Sequence, residues 1–380
     1  MKSKVIFVIK NMIGFIKRHV SNQTFYRFKR GYYYIRYFGT YLTNDKKKIK
    51  RYPKTIQLPI TYACNFDCIM CGMRNLLGKK SFSPQELGQI LNDKLYHKVE
   101  SVGINGGEPF LRNDIDECVQ IIADSLPNLK YFHFISNGYY TDKILEKLKK
   151  IKKICVNKNI KLNISFSVDG IGDMQSFMRG NQSAWSNVVK TIEKINEDRS
   201  LYCDYMNVIC TITKYNIYRV LEVEVWSKKY NLDVAYNIAT ENVRIDNFDK
   251  YKDFTIFNDE TARKMTAEFF YRKYLLEKSQ RYFGIYLFVR YRKRFAPCDS
   301  ANADWVTLTP DGQIGYCATH SKNLGNTMQF SSYKIFDENK YYLKELTETY
   351  CETCSHYIYK LSAEGKRLFF KENIKNSEIN

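Results

Sequence analysis

From residue 55 to residue 237 the chain alternates short apolar segments, rich in β-branched and aromatic residues, with longer stretches of helical periodicity. This alternation constrains the fold more than any other feature. The strand-like segments are 56–62, 101–105, 131–136, 162–168, 206–212 and 232–237. Ser83, Pro84, Gln85 and Glu86 form a capping box with proline at the first helical position, which fixes one helix start. Consecutive βα units predict an α/β fold with a parallel sheet and right-handed crossovers, curled into a partial (β/α)6 barrel of the TIM type. Active sites on such sheets lie at the C-terminal ends of the strands.

Two attachments flank this region. The net charge of +20 is concentrated in residues 1–54, where Asp45 is the one acidic residue. Within that extension Val5, Ile9, Met12, Ile13, Ile16 and Val20 recur at helical spacing opposite Lys4, Lys10, Lys17 and Arg18. Such a basic amphipathic helix suits either packing on the barrel or a peripheral seat on an anionic membrane face. The organisation expected is a basic extension over 1–54, the barrel over 55–280, and a small cysteine-rich module with a tail over 281–380. In that last part a turn at 309–313 separates two short strands. No apolar run approaches the ~20 residues of a membrane-spanning helix. The Val5 to Ile9 run is too short for a signal-peptide core, so a cytoplasmic chain is expected, with the inner membrane face as a peripheral site.

Eleven cysteines in a reducing compartment read as ligands rather than bridges where they cluster. Cys64, Cys68 and Cys71 follow the first strand with CxxxCxxC spacing, at the catalytic end of the sheet. Three thiolates on a [4Fe-4S] cube leave one iron open, whereas a structural zinc site closes with four protein ligands. After the second strand come Gly106, Gly107, Glu108 and Pro109. Paired glycines permit close backbone approach, and a carboxylate suits an ammonium group.

These two motifs, one strand apart, resemble those of the radical S-adenosylmethionine (SAM) superfamily, and the resemblance covers residues 55–240. It implies a [4Fe-4S] cluster on the three cysteines, SAM at the open iron, and reductive cleavage to a 5′-deoxyadenosyl radical that abstracts hydrogen from substrate. It further implies that Gly106, Gly107, Glu108 and Pro109 hold the methionyl amino group. Met70 stands where relatives often carry an aromatic residue near adenine. Ser136 and Asn137, ending the third strand, and Ser167 and Arg179, at and beyond the fourth, match positions that touch SAM in relatives. As residues alone, the Asn-Gly and Asp-Gly pairs there are ordinary turn formers.

Cys298, Cys317, Cys351 and Cys354 form a second set, suited to zinc or to a second [4Fe-4S] cluster. The pattern resembles the four-cysteine twitch module, the shorter relative of the SPASM module, which implies an auxiliary cluster that exchanges electrons. His320 and His356 lie close to this set and read as surface side chains, with substitution as ligands the alternative. Cys118, Cys155, Cys203 and Cys210 read as core or near-surface thiols.

The expected activity is oxidation of a small polar molecule or glycan precursor, with flavodoxin or ferredoxin as external electron donor. Maturation of a ribosomally made peptide by crosslinking, oxidation or epimerisation is the second expectation. Glu241 and Arg244 are acid, base or binding candidates by position beyond the sixth strand. From a different class, the Tyr, Lys and Arg of 25–54 would suit a zinc-stabilised RNA-binding protein. A three-ligand open site argues against that reading, and no specific nucleic-acid partner is expected.

Overall fold

The computed structural model describes residues 52–379, so the basic amphipathic helix expected near the N-terminus lies outside the described residues. β1 (Thr55–Pro59) leads through a long loop to α1 (Pro84–Leu91). The pattern repeats through β2 (Ser101–Asn105), α2 (Ile115–Ser125), β3 (Tyr131–Ser136), α3 (Thr141–Asn157) and β4 (Lys161–Ser167). Two helices, α4 (Asp173–Arg179) and α5 (Ala184–Glu197), precede β5 (Tyr205–Ile212), and α6 (Val220–Lys228) precedes β6 (Val234–Ile238). Beyond it come α7 (Phe248–Phe254), α8 (Glu260–Glu277) and α9 (Gln280–Tyr291). The chain ends with β7 (Trp305–Leu308), β8 (Gln313–Gly315), β9 (Gly325–Asn326), α10 (Ser332–Glu338), α11 (Lys340–Tyr350) and α12 (Ala363–Ile379).

β1 to β6 pair in sequence order and all in parallel, as the alternating pattern predicts, and the sheet remains open. The strands alternate in burial where one face meets helices: in β5, Met206, Val208, Cys210 and Ile212 point into the core. Phe132, Phe134 and Phe166 are fully buried, each contributing on the order of 1.5–3 kcal/mol by leaving water. The capping box at Ser83 is present: its hydroxyl accepts from Glu86 N at 3.1 Å and its own N–H donates to Glu86 Oε2 at 2.7 Å.

The short strands of the C-terminal region do not form a sheet of their own. β7 adds in parallel to the outer edge of β1, Thr55 opposite Trp305, and β8 and β9 continue antiparallel beyond it. An uncovered β1 edge would present unpaired backbone groups, and β7 satisfies them. The sheet therefore carries the 309–313 turn to the barrel mouth, where Asp311 accepts a hydrogen bond from Tyr62 Oη at 2.8 Å. Among the described residues no helix is long and apolar enough to cross a membrane.

Candidate active site

Parallel pairing places the C-terminal ends of β1 to β7 at one mouth, and the first three cysteines lie there. Cys64, Cys68 and Cys71 are all partly exposed on the loop after β1. The strand stops at Pro59, short of the expected Tyr62, because its continuation bonds to the turn after β2. Gly107 N donates to Thr61 O at 2.8 Å and Glu108 N to Ala63 O at 2.8 Å. A Cβ on Gly107 would stand 2.0 Å from Ala63 O, and one on Gly106, whose φ is 134°, would stand 2.5 Å from Thr61 O. The space freed by the two glycines is thus taken by the cysteine loop. On the loop's other side Ile69 N donates to Met178 O at 3.1 Å and Gly72 N to Ile245 O at 2.8 Å.

Glu108 is almost wholly buried, and Pro109 begins the short turn behind it. Its carboxylate accepts from Ser136 Oγ at 2.9 Å, Asn137 N at 2.7 Å and Phe110 N at 3.2 Å. Burial pushes its pKa up to about 7 against these donors. Asn137 in turn donates from Nδ2 to Asn65 Oδ1 at 2.8 Å, linking the β3 end to the residue after Cys64. Met70 is buried in a small apolar cluster with Met178, Ala239 and Phe254, so the protein itself supplies its packing partners. Ser167 stands at the end of β4, its carbonyl accepting from Gln175 Nε2 at 2.9 Å.

Arg179 closes α4 against the cysteine loop. Its Nη2 lies 2.6 Å from Oδ2 of Asp169, a fully buried carboxylate whose other oxygen accepts from Thr211 N, and its Nη1 lies 3.8 Å from Cys68 Sγ. Burial opposes the Arg179 charge, but Asp169 and the Cys68 sulfur outweigh it and raise the pKa. The sequence reading missed Asp169 as a site residue, since within Ser167 to Gly170 it looked like a turn former. Burial also raises the thiols, Cys64 to about 11 and Cys68 to about 12, while the N–H groups of Phe66 and Met73 favour the thiolates of Cys64 and Cys71. Two buried donors beside these thiols, Asn65 Nδ2 and Arg179 Nε, have no hydrogen-bond partner. Three convergent sulfurs, N–H groups aimed at them, a guanidinium and unsatisfied donors fit an anionic sulfur-ligated group at this mouth.

The second set converges as well. Cys298, Cys317, Cys351 and Cys354 line one pocket together with Arg294, His320, Tyr350 and His356. Cys317 Sγ accepts from His320 N at 3.4 Å and Cys354 Sγ from His356 N at 3.4 Å. Cys298 is held toward its thiolate by the Cys351 thiol, by the Arg294 charge and by the N–H groups of Ala301 and Ser300. Arg294, which no sequence signal distinguished within its basic run, donates to the carbonyls of Ala296, Pro297, Cys354, His356 and Tyr357 and so knits the pocket wall. The two histidines are half-buried and line the pocket. His320 stacks on Tyr350 with centroids 4.8 Å apart, and His356 is pushed down to about 3 by burial and by the Arg244 and Arg294 charges. Among the described residues no group of three or more His, Cys, Asp or Glu side chains is arranged to hold a single metal ion, in either cysteine set. The other four cysteines are buried in the main core, as expected.

A short turn, Val243–Ile245, connects the two sites. Val243 N donates to Thr319 O at 2.8 Å and Arg244 N to Ala318 O at 3.2 Å, next to Cys317, while Ile245 O accepts from Gly72, next to Cys71.

An open parallel barrel with a three-thiol loop at the mouth defines a class of cofactor-dependent α/β enzymes that work at the strand ends. Residues 58–221 match the family model of the radical SAM superfamily. The chain is 26% identical over 319 residues to a probable GTP 3′,8-cyclase from Methanococcus aeolicus, an alignment covering 77% of this chain and 97% of that one. It is 36% identical over 90 residues to a putative glycyl-radical enzyme activating enzyme from Methanocaldococcus jannaschii, spanning 24% of this chain and 34% of that one. In fold it is similar to native anSMEcpe with bound AdoMet and Kp18Cys peptide, with a TM-score of 0.56 at 16% identity over 86% of this chain and 99% of that one. Streptococcus suis SuiB bound to its precursor peptide SuiA gives a TM-score of 0.54 at 14% identity, over 76% of this chain and 65% of that one. Residues 58–221 thus carry a radical SAM domain, of a family that uses a [4Fe-4S] cluster with SAM, and the chain is an enzyme.

Proposed function

We propose that this radical SAM enzyme oxidises a small polar substrate seated between the two cysteine sites. Cys64, Cys68 and Cys71 would hold the [4Fe-4S] cluster and leave one iron to SAM. Together, the bound cluster and SAM supply a 5′-deoxyadenosyl radical by reductive cleavage of a carbon–sulfur bond. Gly106, Gly107 and Pro109 shape the turn against which the methionyl end of SAM would rest. Glu108 acts from behind by fixing Ser136 and Asn137, and Ser167 and the Asp169-held Arg179 would complete the SAM cradle. Met70, with Met178 and Phe254, keeps water from that side.

Cys298, Cys317, Cys351 and Cys354 would hold a second cluster whose irons are all ligated by protein, which suits electron exchange rather than substrate binding. The observation that carries this reading is the Val243–Ile245 turn, hydrogen-bonded to both cysteine loops, which sets the two sites on one mouth. All four thiols line one pocket, and the resemblance to the four-cysteine twitch module supports a cluster over zinc there. The division into 1–54, 55–280 and 281–380, a cytoplasmic location and a flavodoxin or ferredoxin donor belong to the same reading. A small polar substrate agrees with the GTP named for the Methanococcus aeolicus relative. A second reading, maturation of a ribosomally made peptide, draws on the peptide-bound enzymes that share the fold.

The test is anaerobic reconstitution followed by reduction with dithionite in the presence of SAM. Wild type should form 5′-deoxyadenosine and a Cys68→Ala variant should not. Iron-loaded wild type that leaves SAM intact would contradict the proposal.

A further inference from the structure

Arg244 occupies a position that the proposed chemistry leaves unused. It stands on the turn that bonds to both cysteine loops, and its backbone is fixed on one side by Ala318 and on the other through Ile245 and Gly72. Its guanidinium reaches across the mouth, where Nη1 donates to Asn105 Oδ1 at 3.0 Å, at the end of β2 and next to Gly106. The residue is partly exposed, yet protein surrounds its charge closely enough that burial lowers its pKa. The groups whose charge it feels are the Tyr357 phenol, from the second cysteine region, and the Cys71 thiol, from the first. Among the described residues no carboxylate pairs with it. Glu241, on the same loop, acts on Tyr251 instead. Lys250 adds a second cation within electrostatic reach of Cys71.

Burying a guanidinium that no carboxylate pairs with is costly, and one side-chain amide answers a single one of its five donors. Arg179 differs in this respect, because Asp169 neutralises it. The structure assigns Arg244 as the anchor for an anionic group of the substrate, a carboxylate or a phosphate, held between the two cysteine sites. This inference rests on the reading of the mouth as a radical SAM active site and narrows its substrate to an anionic molecule. A planar fork of donors fixed by its backbone on two sides suits bidentate recognition of an oxyanion and sets the distance of the substrate from each site.

The test uses the reconstituted full chain with SAM bound, titrated calorimetrically with inorganic pyrophosphate in one arm and glutarate in the other. Wild type should bind at least one probe saturably, and the arm that binds identifies phosphate or carboxylate. Arg244→Gln should weaken that binding by about 10- to 100-fold, the loss of a charge-assisted contact. Arg244→Lys should recover part of it, and Lys190→Gln, on the exposed face of α5, should bind as wild type. SAM affinity, measured separately, should be equal in wild type and Arg244→Gln. Probe binding unaffected by Arg244→Gln, or no saturable binding to wild type, would overturn the assignment. A loss of SAM affinity in Arg244→Gln would also overturn it, by giving the guanidinium to the SAM carboxylate instead. Failure of wild type to cleave SAM would count against the active-site reading alone, because probe binding is read independently of turnover.

Discussion

Alanine at Gly107 should displace the cysteine loop although it adds one carbon. The new Cβ would fall 2.0 Å from Ala63 O, 2.6 Å from Ala63 C and 3.1 Å from Cys64 Cβ. Reaching van der Waals contact requires the two backbones to part by roughly 1.5 Å. Both groups belong to main chain, so no side-chain rotation relieves the clash. Parting them breaks the bonds from Gly107 N to Thr61 O and from Glu108 N to Ala63 O, each 2.8 Å long. Two backbone hydrogen bonds at about 1 kcal/mol each, plus about 1–3 kcal/mol of overpacking, give a destabilisation of about 3–5 kcal/mol. The control is Gly88→Ala, in α1, where the nearest atom is the mobile Ile121 Cγ2 at 3.1 Å and the gain in helix propensity is about 0.5–1 kcal/mol. Urea unfolding of the apo chains measures the difference, and iron content after anaerobic reconstitution measures the displacement of Cys64. Equal stability and equal iron in the two variants would refute the claim that the glycine pair exists to seat the cysteine loop.

Two further outcomes follow from particular contacts. Arg294→Met removes the donors to five carbonyls around the second pocket, so iron at that site should be lost while SAM cleavage at the first survives; full iron retention by metal analysis would count against the bracing role. Asp204 is pulled down to about 2 although burial opposes the shift, because Lys152, the Leu162 N–H and Lys161 all favour its carboxylate. A carboxyl depressed in the folded state contributes stability above its ordinary value near 3.8 and loses it as pH falls toward 2. The stability gap between wild type and Asp204→Asn should therefore close between pH 4 and pH 2, and a pH-independent gap in urea midpoints would exclude the mechanism.

The barrel strands were legible because β-branched and aromatic residues mark them locally and the intervening helices force parallel pairing. The partner of β7 was not legible, since joining the β1 edge depends on which backbone groups remain unpaired once the sheet has formed. The seven ligand candidates were legible from spacing. Their supports were not: Asp169 resembles a turn residue, Arg294 is one of several cations in a row, and Val243–Ile245 is too short to carry a periodicity. Glu108 shows a further limit. Its residue type marks a carboxylate suited to an ammonium group, but not that Ser136, Asn137 and Phe110 already donate to it.

On the proposed reading the seven cysteines of the two sites hold two iron–sulfur clusters. Iron and zinc content, measured on anaerobically reconstituted wild type and on the Cys298/Cys317/Cys351/Cys354→Ala variant, tests it most directly. Wild type should hold about eight irons per chain, falling to about four in the variant, with little zinc in either. About four irons plus one zinc in wild type, with the zinc lost in the variant, would contradict it.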